Sequence, residues 1–341
     1  MKYNLLGNTG LKVSELCLGT MTFGGGKGMF AAIGAVEQKA ADALVARSVE
    51  GGINFIDTAN VYSEGMSEEI TGQAIRNLNL KRDDLVIATK VRGRMSEGPN
   101  GNGLSRKHII HEAEASLRRL NMDYIDLYQI HGYDELTPIE ETLEALDLLV
   151  KSGKVRYIGC SNIAAWHIMK AASYSHYNHV SKFVSLQAYY TIAGRDLERD
   201  IVPVLKDQNM GLMVWSPLAG GLLSGKYNRK MEAEAGSRRI KFDFPPVNQE
   251  RAFDIIDVLE PMAKAKNASV AQLALAWLLH QRVVTTVIIG AKKLEQIDDN
   301  LKSTGVTFTA DELQKLDEVS KLPAEYPGWM MERQGGDRRK K

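Results

Sequence analysis

Short apolar runs recur along the chain, and segments with helical spacing of apolar residues lie between them. The short runs fit strands that are covered on both faces, as in a parallel sheet. The eight runs are Leu16–Leu18, Ile53–Ile56, Leu85–Ala88, Tyr124–Tyr128, Val155–Ile158, Phe183–Leu186, Leu212–Trp215 and Val283–Ile288. The helical patterns include Glu37–Glu50, Glu68–Asn77, Arg106–Leu120, Ile139–Lys151, Leu197–Asn209, Ala252–Lys266 and Val270–His280.

This alternation predicts the α/β class with a parallel sheet. Since no break in composition divides the chain, we expect one closed (β/α)8 TIM barrel rather than two open sheets. It would form a single domain over residues 1–341, with its core at about 14–305. Helix ends have local support: Ser105 is placed as an N-cap, Thr137-Pro138 opens a helix and Gly153 closes it.

Three segments fall outside the alternation. Residues Tyr3 to Val13 predict a β-hairpin with Gly7-Asn8-Thr9-Gly10 at its turn. Residues Ser216 to Gln249 form a long loop after the seventh barrel strand, and an extended tail runs from Leu322 to Lys341. Long loops in a compact domain are usually functional or disordered.

Composition and charge exclude several classes of protein. The chain has 341 residues, 44% hydrophobic and 25% charged, with a formal net charge of +1. A near-neutral chain has no overall field for nucleic acid or an anionic membrane, so neither partner is expected. The N-terminus lacks a signal-peptide core, and no run approaches the roughly 20 apolar residues of a membrane span, so we expect a cytoplasmic location. Cys17 and Cys160 are expected to be buried rather than reactive.

Ionisable residues follow three of the predicted strands. Asp57 follows Ile53–Ile56, Lys90 follows the third run, and His131 follows the fourth, while Tyr62 lies one short loop beyond Asp57. Active sites of such barrels lie at the C-terminal ends of the strands, so these four side chains should share one rim.

The four residues make a coherent set for carbonyl reduction. A tyrosine with a pKa of about 10 is too weak an acid near neutral pH, and a neighbouring lysine would lower that pKa. Asp57 would keep Lys90 charged and oriented, and His131 would orient or polarise the carbonyl. An Asp–Lys pair can also be purely structural, and a barrel lysine can serve a Schiff-base aldolase.

Four segments resemble the signatures of the aldo-keto reductases. They are Gly52-Ile-Asn-Phe-Ile-Asp-Thr-Ala-Asn-Val-Tyr62, Ala88-Thr-Lys90, Tyr128-Gln-Ile-His131 and Gly153-Lys-Val-Arg-Tyr-Ile-Gly-Cys-Ser-Asn162. The likeness covers nearly the whole chain and is strongest to the bacterial branch that resembles potassium-channel β-subunits. It implies a (β/α)8 barrel, NADPH as cofactor, and a catalytic tetrad at Asp57, Tyr62, Lys90 and His131. The channel likeness keeps a cofactor-binding regulatory subunit open as an alternative.

The resemblance also implies where the cofactor is held. The nicotinamide carboxamide would contact Ser161, Asn162 and Gln187, and the ring would stack on Trp215. The remaining implied contacts are Gly19, Thr20, Met21 and Asp57 at the first two strand ends, Ser216, Leu218, Gly220 and Lys226 at the pyrophosphate, and Gly290, Lys292, Gln296, Asp299 and Asn300 at the adenosine and its 2′-phosphate. Some relatives carry arginine where Gln296 stands, so NADH is also possible.

Other motifs are set aside. Gly220 to Tyr227 nearly spells a phosphate-binding P-loop, but Tyr227 stands in the position of its Ser or Thr. Gly24-Gly25-Gly26-Lys27-Gly28 is interpreted as a flexible rim loop. His108, His111 and Glu112 have no further ligand at suitable spacing, so we predict a solvated helix face rather than a metal site. His176 and His179 are interpreted in the same way.

The expected substrate is a small carbonyl compound of undetermined identity. The rim loops 22–30 and 91–104, Tyr133 and the Trp329 tail should shape its pocket, and their aromatic residues point to an apolar or ring-bearing molecule. The sequence leaves the oligomeric state open.

Overall fold

Eight parallel strands close into a barrel in the computed structural model, which describes residues 1–26, 34, 36–227, 229 and 243–339. The strand order around the barrel is β10-β3-β4-β5-β6-β7-β8-β9. These strands are β3 Leu16–Gly19, β4 Phe55–Asp57, β5 Val86–Val91, β6 Ile125–Ile130, β7 Val155–Ser161, β8 Phe183–Tyr189, β9 Gly211–Trp215 and β10 Val284–Ile289. The predicted (β/α)8 barrel is therefore confirmed, with each strand near its expected run.

The predicted N-terminal hairpin is also present. Strand β1 Tyr3–Leu5 pairs antiparallel with β2 Lys12–Ser14. Gly7 in the connection has φ +57°, and a Cβ there would lie 2.3 Å from the carbonyl oxygen of Val184. Only glycine fits this position. Because Val184 lies at the start of β8, the hairpin covers the N-terminal end of the barrel and leaves the other end open.

Helices surround the barrel and return the chain from one strand to the next. They are α1 Gln38–Glu50, α2 Met66–Asn77, α3 Arg106–Leu120, α4 Ile139–Lys151, α5 Ala165–Asn178, α6 Ile201–Asp207, α7 Gln249–Ala265, α8 Val270–Leu279, α9 Leu294–Lys302, α10 Ala310–Ser320 and α11 Gly328–Arg339. The Ser105 side chain accepts a hydrogen bond from the His108 amide at 3.3 Å, so the predicted N-cap of α3 is confirmed. Helix α4 begins after Pro138, and Gly153 follows it at φ +77°.

Some elements differ from the sequence patterns. The pattern over Leu197–Asn209 is broken into a 3₁₀ turn at Asp196–Glu198 and the short helix α6. Helices α5 and α10 were not among the predicted segments. The tail beyond Leu322 is not wholly extended, because α11 occupies its second half.

Parts of three predicted segments lie outside the described residues. They are residues 27–30 of the rim loop 22–30, residues 228 and 230–242 of the long loop after the seventh barrel strand, and the final two lysines. Among the described residues, no helix is long and apolar enough to cross a membrane.

Candidate active site

A buried ion pair lies at the C-terminal end of the barrel. Lys90 Nζ is 2.6 Å from Asp57 Oδ2, with the lysine side chain fully buried and the aspartate side chain 3% exposed. Lys90 also donates to the carbonyl oxygen of Thr58 at 2.8 Å. Burial opposes the lysine charge, but Asp57 and Tyr62 outweigh that cost, so the pKa of Lys90 is raised. Lys90 is therefore held as an ammonium group.

Tyr62 is presented to this pair by a turn of unusual conformation. Ser63, Glu64 and Gly65 follow it with φ values of +50°, +58° and +100°, a region that non-glycine residues rarely adopt. Lys90 Nζ donates to the Tyr62 hydroxyl oxygen at 3.3 Å and lies 4.9 Å from the ring centroid. Strained backbone of this kind clusters at functional sites.

The expected lowering of the Tyr62 pKa is not found. Desolvation of the partly buried hydroxyl raises the pKa by more than the charge of Lys90 lowers it, and Asp57 raises it further. The prediction considered the lysine but not the desolvation, and its direction was wrong. Tyr62 is consequently a protonated phenol at neutral pH, which is the form that can give up a proton.

His131 completes the four residues that the sequence placed on one rim. It follows β6, its amide donates to the carbonyl oxygen of Val91, and its ring meets Tyr62 edge-on with centroids 5.7 Å apart. Burial, with the charges of Lys90 and Arg92, lowers the pKa of His131 to about 3. The imidazole is therefore neutral and can serve as a hydrogen-bonding group rather than a cation.

Two glutamines complete the surroundings of Asp57. Gln129 Nε2 and Gln187 Nε2 both donate to Asp57 Oδ1, at 3.0 and 2.9 Å. Gln187 was predicted only as a cofactor contact, and Gln129 was missed. The signal for Gln129 was its position two residues before His131, because alternate residues of a strand share one face.

A second charged cluster is buried behind the Tyr62 turn, and sequence reasoning did not find it. Arg119 Nε lies 2.5 Å from Glu68 Oε2, and its Nη2 lies 3.4 Å from Glu112 Oε2. Glu112 accepts from Asn60 at 3.0 Å, and Glu68 accepts from Thr89 at 2.5 Å. Both glutamate side chains are at most 4% exposed. Through these contacts the cluster links helices α2 and α3 to Thr89, which precedes Lys90, and to Asn60, which lies two residues before Tyr62.

This cluster corrects the interpretation of α3 as carrying a solvated histidine face. His108 and Glu112 are buried, while His111 is exposed on the next face of the helix. Residues four apart on a helix share one face, so His108 and Glu112 point inward together. His176 and His179, by contrast, are exposed as expected.

Asn162 and Trp215 contact each other at the ends of β7 and β9. Asn162, with φ +52°, donates to the carbonyl oxygen of His131 and to Ser161 Oγ, and accepts from Trp215 Nε1 at 3.0 Å. The Trp215 ring is partly exposed and stacks on Phe244 with centroids 5.8 Å apart. Its edge is fixed by Asn162, and the ring lies at the end of β9, partly exposed and packed against the buried residues inside the barrel.

The end of the first barrel strand is packed closely against the end of β4. Thr20 is buried, its amide donates to the carbonyl oxygen of Asp57 at 2.9 Å, and its hydroxyl lies 2.9 Å from Ser67 Oγ. A Cβ on Gly19 would lie 2.6 Å from the Ile288 side chain, so the backbone there has no room for a larger residue. Met21 is partly exposed beside them.

The loop after β9 turns repeatedly through positive φ. Ser216, Ala219 and Gly220 have φ values of +50°, +52° and +67°, whereas Leu218 between them has φ −99°. The Gly220 amide is bound by Ser216 Oγ at 3.0 Å, and Lys226 is exposed at the end of the loop. The amides of Ala219 and Gly221 donate to the carbonyl oxygens of Ser216 and Leu218, both at 2.9 Å, so the amides of this turn already have acceptors within it.

The predicted adenosine contacts form the start of α9. Gln296 Oε1 accepts from the amides of Lys292 and Lys293, at 2.7 and 3.2 Å. Asp299 accepts from Ser269 and Gln272 of α8, at 2.8 and 2.6 Å. The Gln296 side chain therefore caps the start of α9, and the Asp299 side chain binds residues at the start of α8. Asn300 is buried and Gly290 is exposed.

The two cysteines play no part in this geometry. Cys17 and Cys160 are fully buried, and burial raises the pKa of both thiols. The expectation that they are buried rather than reactive is confirmed.

Comparison with known proteins places this geometry in a family. The chain matches the model described as "Aldo/keto reductase family" over residues 15–321. It is 36% identical to Uncharacterized oxidoreductase YrpG of Bacillus subtilis, over 94% of this chain and 96% of that protein. It is also 36% identical to Probable voltage-gated potassium channel subunit beta of Arabidopsis thaliana and to Versiconal hemiacetal acetate reductase of Aspergillus parasiticus, in each case over 96% of this chain and 99% of the relative. The resemblance inferred from the motifs is confirmed, and the chain belongs to the aldo/keto reductase family.

Proposed function

We propose that the protein is an NADPH-dependent oxidoreductase that reduces aldehydes and ketones, with Tyr62 as the general acid. The observation that carries the proposal is the contact series from Asp57 through Lys90 to the Tyr62 hydroxyl, at 2.6 and 3.3 Å. Family membership and relatives named as oxidoreductases support carbonyl reduction as the general chemistry.

Each residue has a distinct part in this proposal. Tyr62 gives its proton to the carbonyl oxygen as the alcohol forms, and Lys90 stabilises the phenolate that is left. Asp57 keeps Lys90 charged, because an ammonium group in a buried site needs a paired carboxylate. His131 is neutral, so its ring can donate a hydrogen bond to the carbonyl oxygen and orient the substrate.

The residues that follow β9 and β10, on another side of the same barrel mouth, suit a nicotinamide dinucleotide. The glycine-rich loop after β9 turns through positive φ at Ser216, Ala219 and Gly220, and the exposed Lys226, six residues further along the chain, offers a positive charge to a diphosphate. Trp215 offers a ring whose edge is held by Asn162, while Lys292 and Lys293 stand at the start of α9. A reduced nicotinamide would supply the hydride. We propose NADPH over NADH because of the two lysines.

A turnover assay tests the proposal directly. NADPH oxidation is followed with a panel of aldehydes and ketones, using the native protein and Tyr62→Phe side by side. We expect turnover by the native protein and a loss of roughly 10²- to 10⁴-fold in the variant, which retains the ring but lacks the proton. Full activity of Tyr62→Phe contradicts the acid role. Repeating the assay with NADH measures the cofactor preference.

Two other functions have specific outcomes in the same experiments. Similarity to a protein named as a potassium channel subunit favours a cofactor-binding regulatory role, which predicts NADPH binding without turnover of any carbonyl. A Schiff-base aldolase requires a neutral lysine. Burial lowers the pKa of Lys90, but the ion pair with Asp57 raises it by more, so the lysine stays charged. Borohydride trapping of a carbonyl compound on Lys90 would support the aldolase.

A further inference from the structure

Arg92 is placed beside the catalytic residues by a strained backbone. It is the first residue after β5 and lies two residues beyond Lys90. Its φ is +146°, which is rare for any residue other than glycine. Its carbonyl oxygen accepts from the Gly103 amide at 2.9 Å, so the loop that follows closes back on Arg92. Such strain costs local stability, and it indicates that this backbone conformation is kept because it positions the arginine.

The Arg92 side chain is oriented, yet it has no carboxylate partner among the described residues. Its Nε donates to the carbonyl oxygen of Tyr133 at 2.7 Å, and its Cδ, Nε and Cζ lie 3.5–3.9 Å from the point that a Cβ on Gly132 would occupy. Gly132 directly follows His131. Holding the guanidinium by Nε leaves the edge formed by Nη1 and Nη2 available, and that edge matches the two oxygens of a carboxylate.

Asp134 is a carboxylate on which the charge of Arg92 acts, but both of its oxygens already accept hydrogen bonds from other groups. Asp134 Oδ2 accepts from the Leu104 amide and from Thr137 Oγ1, both at 2.7 Å. Its Oδ1 accepts from the Leu136 amide at 3.1 Å. Asp134 thus organises the two loops and does not form an ion pair with Arg92 in the structure.

The surface next to Arg92 is aromatic. The Tyr133 ring stacks on His167 with centroids 3.8 Å apart, and His167 lies 3.6 Å from Trp166 by the same measure. Trp166 remains 61% exposed. A molecule that contacts both this surface and Arg92 would combine an apolar or ring-bearing body with an anionic group.

The topology separates this arginine from the proposed phosphate contacts. Strands β5 and β9 are four steps apart in either direction around the eight-stranded barrel, so they lie on opposite sides of its mouth. The turn at Ser216–Gly220 follows β9, whereas Arg92 follows β5, two residues beyond Lys90. An anion at Arg92 therefore comes from the substrate rather than from the cofactor.

We propose that Arg92 binds a carboxylate of the substrate, so that the protein prefers aldehydes or ketones that carry an acid group on an apolar or aromatic body. This inference rests on the proposed reductase function and adds the substrate class to it. Arg92 acts here as a specificity residue. Its charge also contributes to the lowered pKa of His131, but burial and Lys90 are the larger causes, so we expect the chemistry at Tyr62 to change little when Arg92 is replaced.

A matched pair of substrates and a matched pair of variants test the inference. The substrates are 4-carboxybenzaldehyde and its methyl ester, which present the same aldehyde with and without the charge. The variants are Arg92→Gln and Arg94→Gln. Arg94 lies in the same loop and is also exposed, but its Nη1 donates to the carbonyl oxygens of Ser96 and Gly98. Both variants remove one positive charge from the loop.

We expect the native protein to favour the acid, and Arg92→Gln to lower kcat/KM for the acid about tenfold, since charge-assisted hydrogen bonds are lost from a partly exposed group. The ester should change less than about threefold, and Arg94→Gln should leave the ratio of the two substrates unchanged. Arg92→Lys, which keeps the charge but not the paired nitrogens, should give an intermediate ratio and serves if Arg92→Gln is unstable.

The outcomes separate this inference from the proposed function. If the native protein reduces neither compound nor any other carbonyl, the reductase function fails, and the inference fails with it. If it reduces both compounds equally well and Arg92→Gln leaves their ratio unchanged, only the inference is overturned. An equal loss on acid and ester also overturns it, because that result assigns Arg92 to the general support of the His131 loop.

Discussion

The two sides of the barrel mouth are built in different ways. On the side of β4, β5 and β6, the chemical groups stand on or directly after strands and are held in dry surroundings: Lys90 is fully buried, and Asp57 accepts from Lys90, Gln129 and Gln187. On the side of β9 and β10, the groups stand on loops and helix starts. Lys226 and Lys292 are exposed there, and the side chains of Ser216 and Gln296 accept from backbone amides four residues away.

Substitutions on the two sides should therefore have different effects. In a dry site an unpaired charge is costly, so changes on the β4–β6 side should affect both stability and the chemical step. Exposed charges on loops are screened by water and salt, so changes on the β9–β10 side should affect cofactor binding alone and by small factors. The predictions below test that separation, beginning with the largest effect.

Removal of the buried lysine should have the largest effect. Lys90→Met leaves the Asp57 carboxylate buried without its cation, which typically costs about 3–5 kcal/mol of unfolding free energy. Turnover should fall by roughly 10²- to 10⁴-fold because the acid loses its charged neighbour. Denaturant unfolding and NADPH oxidation measure the two quantities.

A double variant separates the two effects of that change. Asp57→Asn combined with Lys90→Met removes both charges, so it should recover much of the lost stability while activity stays low. If the double variant is no more stable than Lys90→Met, the buried charge is not the cause of the instability.

The cluster behind the Tyr62 turn should matter next. Arg119→Met leaves Glu68 and Glu112 buried without a cation, and we expect unfolding free energy to fall by about 3 kcal/mol. The neighbouring exposed residue provides the control: Arg118→Met should stay within about 0.5 kcal/mol of the native protein. Equal losses in the two variants would show that the cluster makes no specific contribution.

The same variant also tests the link from this cluster to the chemistry. Arg119 packs against Gly65 in the strained turn, since a Cβ there would lie 2.7 Å from Arg119 Cδ. Kinetics at a temperature where the variant is folded should show a lower kcat, because Tyr62 is less well positioned, with the KM for NADPH little changed. An altered cofactor KM with normal kcat contradicts the link.

His131 should make stability depend on pH below neutrality. Its pKa falls from about 6.5 in the unfolded chain to about 3 in the fold, so the unfolded state binds the extra proton between these values. Stability from this residue is therefore fully present above pH 6.5 and is lost as pH falls, by up to about 1.4 kcal/mol per pH unit. Unfolding of the native protein and His131→Gln between pH 6.5 and 4.5 measures the difference in slope. Parallel curves would mean that the pKa of His131 is not lowered in the fold.

The same comparison explains how far the sequence could predict the site. Asp57, Lys90 and His131 were found because they directly follow apolar runs, and in a parallel barrel such residues must share a rim. Gln129, two residues before His131, could have been found because alternate residues of a strand share one face. The positions of these side chains can be predicted from strand periodicity, which is visible in the local sequence.

Contacts between distant segments were not predictable in this way. Glu68 and Arg119 are 51 residues apart, and Glu112 shares its helix face with His108, so the pattern of α3 alone could not distinguish a buried polar face from a solvated one. The raised pKa of Tyr62 was also missed. Its direction depends on desolvation by the assembled rim, and residue types at a given spacing do not report that quantity.

The smallest effect is expected on the side of the loops. Lys226→Gln removes one exposed charge next to the turn at Ser216–Gly220, so the KM for NADPH should rise about threefold to tenfold while kcat stays the same. The increase should shrink at high salt, because exposed charges are screened. Lys264→Gln, an exposed lysine on α7, serves as the control and should change neither value. If Lys226→Gln instead lowers kcat with an unchanged KM, the loop takes part in the chemical step, and the two sides of the barrel mouth are not functionally separate.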